Sequence, residues 1–280
     1  MYNLTIMKNN REIPSFDEQF PDLNEFILKL VDGYNAGKIN SWDDLQKLVN
    51  AFFTSARMEQ MESILPGWQK MASYADRVTL VHVLCVFLGL YMMPEFLSMT
   101  PYQQGLMKWV VLLHDLEKEV KNGKRDHVHA FRSAVTAAKL LPKFGFVTTL
   151  EYQTILDLWG EFTRSATTQL DGSSNEVQDN HKIPEILSGI ENMFGHNTPP
   201  ALILKTVLFH LSVNMNQWPP PNPLTADETQ RYFDRDILPL LRVMNLGDGE
   251  GWAMFEPETR KSQRLDTIHV FDELENLIFT

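Results

Sequence analysis

Apolar side chains recur along most of the chain at the three- and four-residue spacing of an amphipathic helix, and strand-like alternation is rare. The first helix is predicted to begin after Asp22 as N-cap and to stop at Gly37. The second opens at Ser41 with a sequence similar to a capping box. Further helices are predicted over 57–65, 74–93, 101–121, 128–141, 149–165, 184–194, 200–216 and 226–246. This pattern predicts an all-α fold, a bundle of many helices.

Proline and glycine divide the predicted helices. Pro239 is expected to kink or interrupt the last of them. Turns are predicted at 122–124, 171–175, 218–223 and 247–251. A weak strand pattern occurs only in the tail, over 267–279. The Pro-rich segment within 218–223 is the best candidate for a domain boundary, but we expect the chain to form one domain. Its parts are an N-terminal helical extension over 1–75, a core over 76–218 and a C-terminal helical extension over 219–280.

Composition narrows the class of protein. A chain of 280 residues with 44% hydrophobic residues can bury a sizeable core, so it is expected to be globular. A formal charge of −11 argues against a nucleic-acid polymer as the main partner, because that affinity depends on clustered Lys and Arg. An anionic small molecule remains a candidate substrate if a metal ion or a local basic pocket holds it.

Three further features predict a cytoplasmic protein with no membrane association. The lone cysteine, Cys85, cannot form an intramolecular disulfide and lies in an apolar run, as a buried inert thiol does. The N-terminus lacks the basic start and apolar stretch of a signal peptide. The longest apolar run, over 83–93, is about half a membrane span. The Met- and Phe-rich helices can pack internally or form the seam of a homodimer.

Histidines carry the candidate chemistry. His82 lies in a strongly apolar helix, where a buried imidazole needs a partner. His114 and Asp115 end a second apolar run, and neighbours on a helix point about 100° apart, so the pair can reach one ion from two sides. The alternative is that the pair only marks the polar end of a buried helix. Two more histidines, His127 and His129, follow a short turn.

The ordered set reads His82, His114-Asp115-x-x-Lys118 and His129-x-x-x-Ser133-Ala134. In its helical context this set resembles the HD-domain superfamily of metal-dependent phosphohydrolases, well over 76–146 and loosely to residue 216. The resemblance implies a bundle of helices that holds one or two divalent metal ions near its axis.

The resemblance also implies a role for each matching residue. His82, His114 and Asp115 are expected to be metal ligands. His129 is expected to serve a second metal or to contact the leaving phosphate, with His127 as a less well aligned rival. Lys118 is expected to neutralise a phosphate oxygen.

The sequence departs from the family pattern at one point. Members usually supply a last aspartate from a late core helix, whereas the matching segment here, over 207–216, has none. His210 and Asn214 are one turn apart and are expected to project from one helix face, so either can complete the metal shell. Asp179 or His181, in the preceding loop, could compensate instead.

These observations predict a phosphohydrolase or phosphodiesterase that acts on a small phosphorylated molecule, with a nucleotide as one candidate and Mn, Fe, Co, Ni, Zn or Mg as cofactor. A bound ion lowers the pKa of its water, and Lys118 offsets charge on the phosphoryl oxygens. Glu117 is either a general base or ligand orienter, or a surface charge. Two alternatives stay open: a di-iron oxygenase on the same fold, favoured by the histidines at 129 and 210, and a catalytically inactive ligand-binding or interaction protein.

Overall fold

A computed structural model describes residues 12–73, 78–119, 126–169 and 176–280. The predicted all-α fold is confirmed. The N-terminal helices are α1 (Phe16–Gln19), α2 (Pro21–Asn35), α3 (Trp42–Phe52), α4 (Ser55–Ile64) and α5 (Trp68–Ser73). They are followed by α6 (Val78–Met92), α7 (Pro94–Leu97), α8 (Pro101–Leu113), α9 (His129–Leu140) and α10 (Tyr152–Arg164). The last are α11 (Ile183–Phe194), α12 (Pro199–Phe209), α13 (Ala226–Tyr232), α14 (Leu238–Ala253) and α15 (Pro257–Phe279).

Short irregular elements link some of these helices. Two strands, β1 (Thr167–Gln169) and β2 (Glu176–Gln178), pair antiparallel with Thr168 opposite Val177. Single 3₁₀ turns follow α9, over Leu141–Phe144, and precede α11, over Asn180–Lys182. The predicted turns at 122–124 and 171–175 lie outside the described residues, as do 74–77 and 120–121 of two predicted helices.

Capping explains some of the predicted helix starts, but the N-cap predicted at Asp22 is wrong, because α2 begins at Pro21 after Phe20 and has no side-chain cap. The Ser41 side chain accepts a hydrogen bond from the backbone N–H of Asp44 at the start of α3. Thr100 forms a complete capping box with Gln103 at the start of α8, and Thr225 at the start of α13 does the same with its third helical residue. Each cap satisfies backbone donors that a helix start otherwise leaves unpaired.

In the C-terminal third, the helix predicted over 226–246 is interrupted, as expected from Pro239, which lies in the first turn of α14, where a missing N–H costs no helical hydrogen bond. Two other predictions there are wrong. The glycine-rich turn predicted at 247–251 lies inside α14. The weak strand predicted over 267–279 is part of α15. Packing between helices overrides the local preference of these residues.

Two helices end earlier than predicted, and their ends position the candidate site. The helix predicted over 101–121 ends at Leu113, so His114 is its C-cap. The helix predicted over 200–216 ends at Phe209, so His210 is its C-cap. Both imidazoles therefore lie at the end of a buried helix instead of along its side.

One contiguous hydrophobic core, from Phe16 to Phe271, includes residues of all three predicted parts of the chain. In the N-terminal part, Phe16 and Phe20 pack edge-on against Trp109 of α8, whose Nε1 donates to the carbonyl of Pro14 at 2.8 Å. Apolar residues from most of the helices are thereby buried internally, and the dimer seam stays a prediction. No helix in the described ranges is both long enough and apolar enough to cross a membrane.

Candidate metal centre

Six ionisable side chains from different helix ends and faces converge inside the bundle. They are His82 of α6, His114 and Asp115 at the end of α8, His129 at the start of α9, His210 at the end of α12 and Asp248 of α14. Five of them are at most 3% exposed, and Asp248 alone keeps a side-chain exposure of 26%. These six residues are called the cluster below.

The first half of the cluster is His82, His114 and Asp248, which can each offer one ligand atom to a common ion. Asp248 Oδ1 lies 2.9 Å from His82 Nε2 and 3.9 Å from His114 Nε2. Two imidazoles and one carboxylate thus face one point from three helices, which is a common donor set for a transition-metal ion.

The second half has the same composition, with Asp115, His129 and His210. Asp115 Oδ1 lies 2.7 Å from His129 Nε2 and 4.0 Å from His210 Nε2. The two imidazole Nε2 atoms are 3.3 Å apart. These three residues come from the end of α8, the start of α9 and the end of α12, so the second half lies between a different set of helices from the first.

Asp115 joins the two halves. Its Oδ1 is 3.5 Å from His114 Nε2, and its Oδ2 is 3.7 Å from His82 Nε2. A carboxylate between two groups of donors can contribute to both, as expected where two metal ions lie about 3.5–4 Å apart. The described residues can therefore hold two ions with one shared carboxylate.

Backbone hydrogen bonds fix the orientation of three cluster imidazoles. Nδ1 of His114, His129 and His210 lies 2.8, 2.5 and 2.7 Å from the carbonyl oxygen three residues earlier. A carbonyl only accepts, so each Nδ1 carries the proton and each Nε2 presents a lone pair to the cluster. Such hydrogen bonds are the usual way in which proteins orient metal-ligating histidines.

With the proton on Nδ1, the lone pairs that face the cluster lack partners, and a cation fits these lone pairs. With neutral imidazoles, the lone pair on His129 Nε2 faces His210 Nε2 and Asp115 Oδ1 at short range, which is repulsive unless a proton or a metal cation lies between them. Asp115 Oδ1 and His114 Nε2 are buried and form no hydrogen bond with the described residues. Buried polar atoms without a partner are costly, so the donor set fits metal ions better than it fits a metal-free core.

The pKa directions agree with deprotonated ligands at neutral pH. Burial, aided by the charges of His129 and His114, lowers the pKa of His210 to about 3. Burial also lowers the pKa of His114. Burial opposes ionisation of Asp115, yet the nearby His114, Lys118 and His129 outweigh it and hold its pKa well below the ordinary value. Metal ligands must be deprotonated, and the lowered pKa values mean that these groups already are at neutral pH. Metal binding therefore requires no release of protons from them.

Small residues let α14 approach α6 closely enough to bring Asp248 to His82. A Cβ atom on Gly251 would lie 2.8 Å from the His82 ring and clash with Val86. One on Gly247 would meet Val86 at 3.4 Å. Sequence reasoning missed Asp248 because it lies between glycines that were interpreted as a turn. The four-residue spacing of Gly247 and Gly251 is the signal that could have indicated a close helix contact instead.

Lys118 and Trp252 lie at the exposed side of the cluster. Lys118 Nζ is 2.7 Å from Asp115 Oδ2 and 5.1 Å from the centre of the Trp252 ring. The indole stacks on His82, with ring centres 4.1 Å apart and an angle of 18° between the planes. Burial alone would lower the pKa of Lys118, but Asp115 and Asp248 raise it, so the ammonium stays charged.

The structure brings together His82, His114, Asp115, His129 and His210 as predicted, and leaves out other candidates. Glu117 lies outside the cluster, because its carboxylate faces Lys70 at 3.1 Å and Thr136 at 2.5 Å. This position agrees with the alternative that Glu117 is a surface charge, and not with a general base at the metal ions.

The remaining predicted substitutes for the late aspartate are also outside the cluster. The prediction that Asn214 shares a helix face with His210 is wrong, because α12 has already ended and Asn214 is exposed. Asp179 caps its own turn by accepting from the backbone N–H of His181, whose side chain is exposed. His127 is in neither half of the cluster. Asp248 takes the place that these residues were expected to fill.

Comparisons with protein-family models, with curated proteins and with solved structures find no match for this chain. The interpretation of the cluster therefore depends on its geometry and chemistry.

Proposed function

We propose that this chain is a two-metal hydrolase that cleaves a phosphoric ester in a small phosphorylated molecule. The observation that supports the proposal is the pair of donor groups, each with two imidazoles and one carboxylate, that share Asp115. Imidazole with carboxylate suits Mn, Fe, Co, Ni or Zn. A resemblance of the sequence to HD-domain phosphohydrolases points to the same chemistry.

The metal ions would supply a nucleophile, because a bound divalent ion lowers the pKa of its water to near neutral. The residues of the chain hold the donors in place. Asp115 and Asp248 balance the positive charge, and the backbone carbonyls of Val111, Asp126 and Val207 keep the imidazole lone pairs directed inward. The low exposure of the cluster limits access of bulk water and strengthens every electrostatic interaction within it.

The charge balance favours an anionic substrate. The cluster and Lys118 together carry two carboxylates and one ammonium, so the metal-free site is an anion that attracts cations. With two divalent ions its net charge becomes positive, and an anionic phosphate is then attracted to it. Lys118, next to Asp115, can offset charge that develops on the phosphoryl oxygens.

A reloading experiment tests this proposal. Metal-free protein is reloaded with Mn, Co, Ni, Fe or Zn and assayed against a panel of small phosphate esters. We expect hydrolysis with at least one ion, and a loss of about 100-fold or more in Asp248→Asn, as removal of a metal ligand or its support typically gives. Asp272→Asn, at an exposed carboxylate paired with Arg242, is the matched control and should keep full activity. Bound metal without hydrolysis of any ester would contradict the proposal.

Oxidation by a di-iron centre is the second candidate, and one observation favours it. Each half of the cluster has two histidines and one carboxylate, the set typical of non-haem iron oxygenases. Iron-loaded protein would then develop an absorption band that responds to oxygen. A colourless protein that hydrolyses esters with Mn would exclude this candidate. The third alternative is an inactive binding protein, which the missing late aspartate suggests; the position of Asp248 beside His82 supports the hydrolase instead.

A further inference from the structure

Only one side of the cluster is open to solvent among the described residues. Five cluster side chains are at most 3% exposed, whereas Asp248 and Lys118 keep 26% and 19%. Trp252, one turn beyond Asp248 on α14, is 42% exposed. Trp252 borders this opening, because it shares one helix face with Asp248 and lies next to Lys118.

The indole of Trp252 is covered in part and exposed in part. His82 stacks on it, with ring centres 4.1 Å apart, and Lys118 Nζ lies over the ring, 5.1 Å from its centre. With these contacts in place, Trp252 is still 42% exposed, so part of its apolar surface remains available beside the ammonium.

This arrangement holds a large apolar surface next to a cation at low entropic cost. The stack on His82 and the position within α14 fix the indole before any ligand arrives. A rigid indole gains most from a flat partner, since stacked rings bury area without immobilising rotatable bonds. An exposed indole without such a ligand would leave apolar surface in water at the opening of a charged site.

We infer that Trp252 and Lys118 form the recognition surface for a phosphate monoester whose alcohol portion is a flat, unsaturated ring. The phosphate lies against Lys118 at the opening, and the ring of the ester lies against the indole. Trp252 is then a specificity residue, because it contacts the part of the molecule that is not cleaved. This inference rests on the proposed ester chemistry, but it concerns binding and can be tested without turnover.

Binding of two probes to the metal-loaded protein tests the inference. Inorganic phosphate reports on the phosphate position alone, and phenyl phosphate adds a ring. The affinity of each probe is measured by calorimetry at low temperature, so that hydrolysis is slow. The metal content of each variant is determined alongside. We expect phenyl phosphate to bind wild type at least about fivefold more tightly than inorganic phosphate, as one aromatic stack contributes. Trp252→Ala should abolish the preference for phenyl phosphate, and Trp252→Phe should keep part of it; the ratio cancels any change that affects both probes alike. Trp218→Ala, at an exposed tryptophan in the Pro-rich segment, is the matched control.

The outcomes separate this inference from the proposed function. Equal affinity for both probes in wild type, or a ratio that Trp252→Ala leaves intact, would overturn the inference even if the protein hydrolyses phosphate esters. A ratio that depends on Trp252 in a protein that hydrolyses no ester would support the inference and count against the proposed function alone. Absence of binding of either probe to the loaded protein would overturn the inference.

Discussion

The imidazoles of His114, His129 and His210 share one arrangement, in which Nδ1 donates to the carbonyl three residues earlier. His114 and His210 adopt it at a helix C-terminus, where carbonyl groups lack helical partners. The helix end thus orients the ligand and satisfies its own backbone at once. The sequence pattern located these histidines but not the helix ends, so it could not predict which nitrogen faces the cluster.

This environment predicts how the metal-free protein responds to pH. Burial lowers the pKa of His210 to about 3 and also lowers that of His114, while imidazoles of the unfolded chain have a pKa of about 6.5. As the pH falls below that value, the unfolded chain binds protons that the folded chain does not, so the free energy of unfolding decreases. The lowered pKa values of Asp115 and Asp248 add stability above about pH 4, which is lost only at lower pH.

We therefore expect the free energy of unfolding of metal-free protein to decrease between pH 7 and pH 5. His210→Asn removes one titrating group and should make this dependence shallower. Urea denaturation at several pH values, in the presence of a chelator, measures both. An identical pH dependence in the two proteins would show that His210 titrates alike in the folded and the unfolded chain, which contradicts its lowered pKa.

At the scale of secondary structure, the contact between α6 and α14 builds half of the site. Gly251 and Gly247 allow the two helices to approach, and this approach places Asp248 beside His82. A glycine inside a helix ordinarily costs roughly 0.5–1 kcal/mol relative to alanine. Its presence here is explained by the close contact and not by helix propensity.

Two alanine substitutions on α14 should therefore have different effects. Gly251→Ala should force α14 away from His82 and Val86, which lowers the melting temperature and weakens metal binding at least about tenfold, as loss of ligand support does. Gly249→Ala, two residues away, would meet only Gln263 at 3.6 Å and should melt at an equal or higher temperature with metal affinity unchanged. Thermal melting and metal titration check both, and equal behaviour of the two variants would contradict the role given to the helix contact.

The helices show how far local sequence reasoning extends. Periodicity and caps predicted the all-α fold and most helix starts, such as those after Ser41 and Thr100. They failed where tertiary packing decides, as in the glycine-rich stretch of α14 that carries Asp248. Five of the six cluster residues could be predicted, because four are histidines next to apolar helical segments and Asp115 directly follows one of them. Asp248 could not, since its neighbours favour a turn and its partner His82 is 166 residues away in the chain.

For the whole molecule, the continuous core makes the N-terminal helices part of the unit that holds the site. Phe20 is buried between Phe16, Trp109 and Phe144. Since Trp109 belongs to α8, whose C-cap is His114, the N-terminal segment supports the helix whose end positions His114 and Asp115. We expect the chain to unfold in one transition.

Phe20→Ala tests this continuity. Removal of a buried phenyl ring should lower the free energy of unfolding by about 3–5 kcal/mol in a transition that remains single. Leu150→Ala, at a fully exposed side chain, should change it by less than about 0.5 kcal/mol. Calorimetry of both variants measures this. Two separate transitions, with only the first affected by Phe20→Ala, would indicate an independent N-terminal unit.

The metal content of the purified chain tests the central claim most directly. After reloading with Mn or Fe and removal of free ions, elemental analysis should give two ions per wild-type chain. Asp248→Asn and His210→Asn should each lose about one ion, and Asp115→Asn should lose both because its carboxylate lies between the two halves. Asp272→Asn should keep two. A folded wild-type chain that retains no ion, or an Asp115→Asn protein that retains both, would contradict the account of this cluster as a two-metal site.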